Sequence, residues 1–568
     1  MGFKAPVEEY RFLFNEILDL DALLESGKFG ETDSEDIDLF LEAMAIITEE
    51  TIVPLQRAGD KHPAELVNGI VRTSPGFGDG YNLLTELGLV GVSADPQYGG
   101  MGLPKLVQNA LNEFVNGACI SLGLNPLLTQ GQIEALELFA SEEIKELVIP
   151  KLIAGEWYGT MNITEPQAGS DVGGIKTKAR LLDSGDYEIT GQKIFISWAD
   201  ADFAENVCHL VLARLPESPK GSTGLSLFLV PKFQQGRDGK YQKRNNIQIL
   251  SLEKKLGLHG SPTAVVSFDQ AFGKLIGLPN EGLKAMFAMM NSARLGVGSQ
   301  GVGVAEAALQ NAENYARERN QGIDKSSGGP LSISHYPDIK RMLALMKAQI
   351  FVARAICSYC AYSLDMANIS GDQKWVNRAG LLTPIAKFMG SESGVEVSLA
   401  NIKIHGGVGY IEDTGVSQYL RDSIVTTIYE GTNGIQAKDL ILRKIGKNGE
   451  TVHSLVDEII EATTSSQAKE IKFTSQIVET AQKVKEVTNW LVKQPKQSSR
   501  LAGAQAYIKS LGLLLGAYFY FLGTIQPQSN KKTKAIAAVF FNRVFPQARI
   551  LCDEVMVGET DLNALSFD

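Results

Sequence analysis

The stretch "ARLGVGSQGVG", residues 293–303, decides the fold. Its core, GVGSQG at 296–301, matches the G-x-G-x-x-G spacing of a dinucleotide-binding turn. Such a turn needs a strand to deliver it and a helix N-terminus to receive the pyrophosphate. The preceding LKAMFAMMNSARL (283–295) instead repeats its apolar residues at helical spacing. Small residues in that setting let two helices approach closely. Residues 281–319 therefore read as one long helix, and a Rossmann site is set aside.

Downstream, 334–368 and 381–407 are further helical stretches, and GIQAKDLILRKIG ends at Gly446. Upstream the texture changes. YEITGQKIFIS (187–197), HLVLARL (209–215), GLSLFLVP (224–231) and TAVVSFD (263–269) are short runs of β-formers separated by turn residues. No helices intervene, so the alternation of a doubly wound sheet is missing. Before residue 159 the helical period returns, with Ser141 ahead of Glu142 and Glu143 as a capped helix start. The expected class is mainly α with an all-β middle domain. Four regions follow: a helical 1–158, a β domain 159–280, a helical bundle 281–446, and a helical extension 447–568 that looks like four helices.

A chain of 568 residues is too long for one ordinary core. Its 44% hydrophobic and 21% charged residues suit a soluble globular protein. A net charge of −11 speaks against a broad nucleic-acid interface. Five cysteines make no disulfide framework and favour a reducing compartment. The N-terminus has no basic start followed by an apolar run, so no signal peptide is expected. LGLLLGAYFYFLGTI (511–525) falls short of the ~20 apolar residues of a spanning helix and reads as a buried one. Contact with a membrane surface stays open, and the expected location is cytoplasmic.

CSYC (357–360) has no second ligand pair nearby, so it reads as two core cysteines on one helix face. The histidines form no ligand set; His405, against two glycines, is either core or a pocket wall. ITEPQAGSDVGG (163–174) combines hydroxyls and small residues, as an elaborate loop or as a cradle for a heterocycle or phosphate. In KIFISWA (193–199), Phe195 and Trp198 are core or the wall of a flat ring. TTIYEGTNGIQ (426–436) has one acid, Glu430, at a helix start. A helix dipole favours an acid there; a base would need partial burial and a small neighbour, which Gly431 offers.

Together, YGGMGLP, ITEPQAGSDVGGIKTKA, ITGQKIFIS, KKLGLHGSPT, ARLGVGSQGVG, ARERNQ, IHGGVGY and RDSIVTTIYEGTNGIQ resemble the acyl-CoA dehydrogenase family over roughly residues 40–446. The long lead and C-terminal extension look like its larger branch, which includes 3-methylmercaptopropanoyl-CoA and broad-range fatty acyl-CoA dehydrogenases. The resemblance implies a helical N-domain, a β-barrel, a four-helix bundle and bound FAD. It implies Met161, Ile163, Thr164 and Ser170 around the flavin, with Ser170 also facing CoA, and Phe195 and Ser197 on the ring. Many relatives carry Trp and Thr at those last two positions. Arg319, Lys403, His405, Gly406 and Gly407 resemble residues that reach a neighbouring subunit's FAD, and Thr432 and Gln436 those on its phosphate or adenosine side. Arg294, Tyr429 and Gly431 match positions near substrate.

Glu430 matches the family's base; relatives with the base on the earlier helix have it where this chain carries Ala293. The implied reaction removes the α-proton and β-hydride of an acyl-CoA thioester, giving the trans-2-enoyl-CoA. The flavin would accept the hydride, and the Glu430 N–H with a flavin ribityl hydroxyl would hold the thioester carbonyl. Burial would raise Glu430 from ~4.3 toward working pH. An electron-transferring flavoprotein is the implied acceptor and a homodimer the implied assembly. An acyl-CoA oxidase shares these motifs. DNA-binding relatives use a basic C-terminal domain, whereas 446–568 holds 14 Lys/Arg and 12 Asp/Glu.

Overall fold

The computed structural model describes residues 2–235, 240–464, 473–526 and 528–566. The chain forms two compact units, one of residues 46–293 and one of 1–45 with 294–568.

In the 46–293 unit the main helix is α1, Lys105–Phe139, which kinks at Cys119 and carries Pro126. Proline removes a ladder hydrogen bond, so a bend in that neighbourhood is expected. Ser141 caps the next helix, Glu142–Ile153, its Oγ accepting from the Ile144 amide at 3.4 Å. The sheet has seven strands: β1 Trp157–Asn162, β2 Lys178–Leu181, β3 Tyr187–Ser197, β4 Asn206–Arg214, β5 Leu225–Pro231, β6 Ile247–Leu252 and β7 Thr263–Ile276. β7 pairs β3, β3 pairs β2, β2 touches β4, β4 pairs β5, and β5 returns to β7, so the sheet closes on itself. Closure leaves no open edge on that circuit. β-Branched and aromatic residues fill its core, among them Ile189, Ile196, Val211, Phe228, Val266 and Phe268.

The β3 range matches its expected span, and β4, β5 and β7 contain theirs nearly whole. β1, β2 and β6 were not foreseen, nor was a hairpin of Glu65–Val67 and Ile70–Arg72 inside the stretch read as helical. These strands are short, and β2 and the hairpin are largely exposed, which weakens the alternation that reveals a strand.

The other unit is mainly helical, with one unforeseen hairpin of Asn320–Ile323 and Pro330–Ser332. Helix α2, Gly282–Glu318, enters it at Arg294; α3 is Pro337–Ser370 and α4 is Gln373–His405. The glycines of 296–301 let α2 and α4 touch backbone to backbone. A methyl group at Gly301 would lie 2.2 Å from the Gly390 carbonyl oxygen, and one at Gly390 2.2 Å from that of Gly298. Cys357 and Cys360 are buried in α3 as free thiols, consistent with core residues on one face.

Short helix α5, Asn433–Asp439, follows the TTIYEGT segment. Beyond residue 446 the described residues contain six α-helices rather than four: Glu450–Thr464, Thr474–Lys493, Gln497–Ala502, Ala504–Ile525 (α6), Lys531–Arg543 and Gln547–Val557. Pro495 and Pro546 mark two of the additional breaks. Three helical stretches, Pro337–Ser370, Ala504–Ile525 and Lys531–Val557, are long and apolar enough to cross a membrane by length and composition. In α6, which contains 511–525, 72% of the apolar window is buried in protein.

Candidate active site

Glu430 stands on a bend between a 3-10 turn, Val425–Thr427, and α5. Two consecutive residues there are left-handed: Glu430 at φ +56° and Gly431 at φ +86°. Glycine adopts that conformation freely; glutamate does so at a cost and needs to be held. Three anchors hold it. Arg294 Nε donates to the Glu430 carbonyl oxygen at 3.2 Å. Gln436 Nε2 donates to the same oxygen at 3.0 Å and to that of Gly431 at 3.2 Å. The Tyr429 hydroxyl donates to Gln300 Oε1. Arg294 is itself fixed by Asp439, Nη1 to Oδ2 at 3.1 Å, and Asp439 also takes Arg443 Nε. Thr432 caps α5, its Oγ1 accepting from the Ile435 amide at 3.2 Å.

The Glu430 side chain is half-buried. Loss of hydration pushes its carboxyl up to about 7, against the pull of Arg294 and Lys387. Its own backbone N–H has no acceptor among the described residues. A carboxyl group titrating near neutrality beside a free N–H donor is equipped to take a proton from an acid whose oxygen that N–H stabilises.

Under this bend lies a polar cluster. Lys387 on α4 donates from Nζ to Asn433 Oδ1 at 2.8 Å. Asn433 Nδ2 donates to Ser391 Oγ at 3.0 Å and to Glu392 Oε1 at 2.7 Å. Lys387, Asn433, Ser391, Asp439 and Gln300 were not singled out from sequence. A lysine inside the apolar run LLTPIAKFMG (381–390) was the signal available for the first.

Sequence placed Arg294 beside substrate; its guanidinium here is 3% exposed and has protein partners. Gln436 is buried, and its Oε1 has no protein partner. Elsewhere in this unit the Tyr315 and His405 rings stack at 4.1 Å between centroids, joining the C-terminal ends of α2 and α4. His405 is buried and accepts or donates at Nδ1 with the Asn401 carbonyl, 2.9 Å away. Near it Arg319 and Lys403 are exposed, with no ion pair among the described residues. Gly406 and Gly407 have open space where side chains would stand.

In the 46–293 unit, the 163–174 loop is tied by Glu165. Its carboxylate accepts from Lys193 Nζ at 2.9 Å, Thr177 Oγ1 at 2.5 Å and the amides of Lys176 and Thr177 at 2.7 and 3.0 Å. Lys193 Nζ also donates to the Ile163 carbonyl at 2.9 Å, and the Thr164 carbonyl accepts from the Ile194 amide. With these anchors, the hydroxyls of Thr164, Ser170 and Ser197 are left without protein partners among the described residues. Met161 lies in β1. Phe195 is 59% exposed at φ +60°, whereas Trp198 is fully buried and donates to the Ser121 carbonyl. A presented aromatic face with spare hydroxyls fits a flat, polar-edged ring such as a flavin.

Three family models span most of the chain: the acyl-CoA dehydrogenase N-terminal domain at 35–156, middle domain at 160–271 and C-terminal domain at 280–445. The 3-methylmercaptopropionyl-CoA dehydrogenase of Ruegeria pomeroyi is 41% identical over 474 residues, 83% of this chain and 81% of the relative. This chain belongs to the acyl-CoA dehydrogenase family. The family is FAD-dependent, so the chain is an FAD-dependent oxidoreductase acting on CH–CH donors. A broad-specificity linear acyl-CoA dehydrogenase of Mycobacterium tuberculosis is 33% identical, over 78% of this chain and 75% of its own length. Among solved structures, an acyl-CoA dehydrogenase from Bacillus anthracis complexed with FAD shares the fold at TM-score 0.76 and 21% identity, covering 98% of this chain and 92% of that one. Butyryl-CoA dehydrogenase from Megasphaera elsdenii covers 72% of this chain and 98% of its own at TM-score 0.60 and 26% identity. The helices beyond 445 lie outside the matched domains of this acyl-CoA dehydrogenase.

Proposed function

We propose that this acyl-CoA dehydrogenase converts an acyl-CoA thioester to the trans-2-enoyl-CoA, with Glu430 as the base. Bound FAD supplies the hydride acceptor for the β-carbon. Glu430 takes the α-proton, and its main-chain N–H donates to the thioester oxygen as charge builds there. Arg294 and Gln436 keep that N–H and the carboxylate in a fixed relation by holding the Glu430 carbonyl. Gly431 and Tyr429 border the approach, and Ser170 meets the CoA portion. Met161, Ile163, Thr164, Ser170, Phe195 and Ser197 hold FAD on the 46–293 unit. Arg319, Lys403, His405, Gly406, Gly407, Thr432 and Gln436 hold its phosphates and adenosine, the first five from a neighbouring subunit of a homodimer.

The observation that carries this is Glu430 itself: strained, triply anchored and shifted to about 7. The test is Glu430→Gln. It should abolish bleaching of the flavin by acyl-CoA while FAD stays bound; bleaching at near wild-type rate refutes the role.

The 41% identical relative favours 3-methylmercaptopropanoyl-CoA as one substrate to place in a ladder of acyl-CoAs. Electrons pass on to an electron-transferring flavoprotein in the cytoplasm; peroxide release under air would mark an oxidase instead. Light scattering checks the homodimer, and a tetramer would count against it.

A further inference from the structure

Lys387 is 0% exposed, yet no carboxylate lies within ion-pair distance of it among the described residues. An ammonium has three donors; among the described residues this one gives a single hydrogen bond, to the neutral Asn433. The contrast with Lys193 is direct. That lysine is equally buried but has Glu165 at 2.9 Å, so its charge is matched where it sits. Burying an unmatched charge is costly.

The geometry shows where the field is directed. Asn433 begins α5, three residues after Glu430. Its amide nitrogen is committed to Ser391 Oγ and Glu392 Oε1, which turns its oxygen toward Lys387. The ammonium is thereby held against the first turn of α5. The charged groups facing it are Glu430, Arg294 and Glu392. Those facing Glu430 are Arg294 and Lys387. Arg294 shares Asp439 with Arg443. Lys387, with no carboxylate within ion-pair distance among the described residues, is the second cation acting on Glu430 after Arg294.

We propose that Lys387 is a positioning residue of the reaction: its Asn433-held ammonium is a buried positive charge that, together with Arg294, keeps Glu430 ionised and ready for the α-proton. This rests on Glu430 being the base. In the step the Cα–H bond breaks, an O–H bond forms on Glu430, and the freed electron pair is drawn toward the thioester oxygen. Lys387 gives and takes no proton; it sets the pH at which the acceptor is available. Burial lowers Lys387 to about 7, against the pull of the Glu430 charge.

The test compares Lys387→Met, Lys387→Gln and Lys387→Arg. Two readouts are used: the pH midpoint of flavin reduction by butanoyl-CoA and 3-methylmercaptopropanoyl-CoA in single turnover, and the pH at which the Glu430 carboxyl ionises. The second comes from infrared difference spectra against Glu430→Gln in FAD-bound protein without acyl-CoA, so it does not depend on turnover. Both neutral variants should move both midpoints upward by about one unit or more, slowing reduction roughly tenfold below the midpoint. Lys387→Arg should stay near wild type. Lys387→Gln, able to donate to Asn433 itself, keeps the test open if the Met variant does not fold. Unmoved midpoints in a folded neutral variant overturn the proposal. Bleaching that persists in Glu430→Gln would instead overturn the base, a separate result.

Discussion

Arg294 Nε lies 3.2 Å from the carbonyl oxygen of Glu430, bridging 136 positions of sequence. The contact grips the main chain, so the side chain of Glu430 stays free for other work. Gln436 makes a parallel grip from the other side of the bend, and it is the cleaner one to remove because it carries no charge. Gln436→Ala should cost about 1–3 kcal/mol in stability, since two carbonyls lose a donor. Flavin reduction should slow by at least tenfold with FAD still bound. Thermal melting and stopped-flow absorbance check the pair of effects.

With Glu430 as the proposed base, the pH profile has a known sign. Flavin reduction should rise with pH through about 7 as Glu430 ionises. Stability runs the other way. The folded value is raised above the ordinary 4.5, so the contribution is present below 4.5 and lost as pH rises through about 7. Glu430→Gln removes that loss. Relative to wild type it should gain about 1–3 kcal/mol between about pH 5 and about pH 8. Denaturant melts at the two pH values measure it, and a gain confined to the acid side would contradict the burial of this carboxyl.

Glu165 has the opposite sign. Although burial alone would raise it, Lys193 and the hydrogen bonds from Thr177 and Lys176 hold it down at about 2. Its stabilisation is present above 4.5 and is lost as pH falls toward about 2. Glu165→Gln leaves Lys193 buried without a counter-charge and should cost about 3–5 kcal/mol. It also unties the 163–174 loop, so FAD should leave on gel filtration. Adding Lys193→Met should recover part of the stability but not the flavin.

Glycines at two places should respond differently to alanine. Gly390→Ala drives a methyl group to 2.2 Å from backbone of α2 and should destabilise by about 3 kcal/mol or more. Gly407→Ala meets nothing within 4 Å. It should melt as wild type, and a selective fall in FAD retention would support its place on the cofactor.

Much of this was legible because the signals were periodic. Residues 281–319 repeat at helical spacing, and 187–197 is rich enough in β-formers to give β3 to the residue. The dinucleotide fingerprint was rejected on context, and Gly298, Gly301 and Gly390 supply the packing reason. What stayed hidden is what depends on distant partners. Nothing near Lys387 in sequence announces Asn433, 46 positions on, and Asp439 looks like an ordinary helical acid until Arg294 is seen against it. The extra breaks after 446 were missed because a proline marks a boundary without saying whether the chain turns or continues.

The crossing of α2 and α4 rests on main-chain atoms, at Gly298 and Gly301 on one side and Gly390 on the other. Side-chain drift can therefore refill the surrounding interior without resetting the gauge between the two rods. Since one rod bears Arg294 and the other Lys387, the electrostatic frame around Glu430 is insulated from most interior mutations. Acyl preference can then diverge among descendants of this chain while the proposed proton-accepting corner stays unchanged.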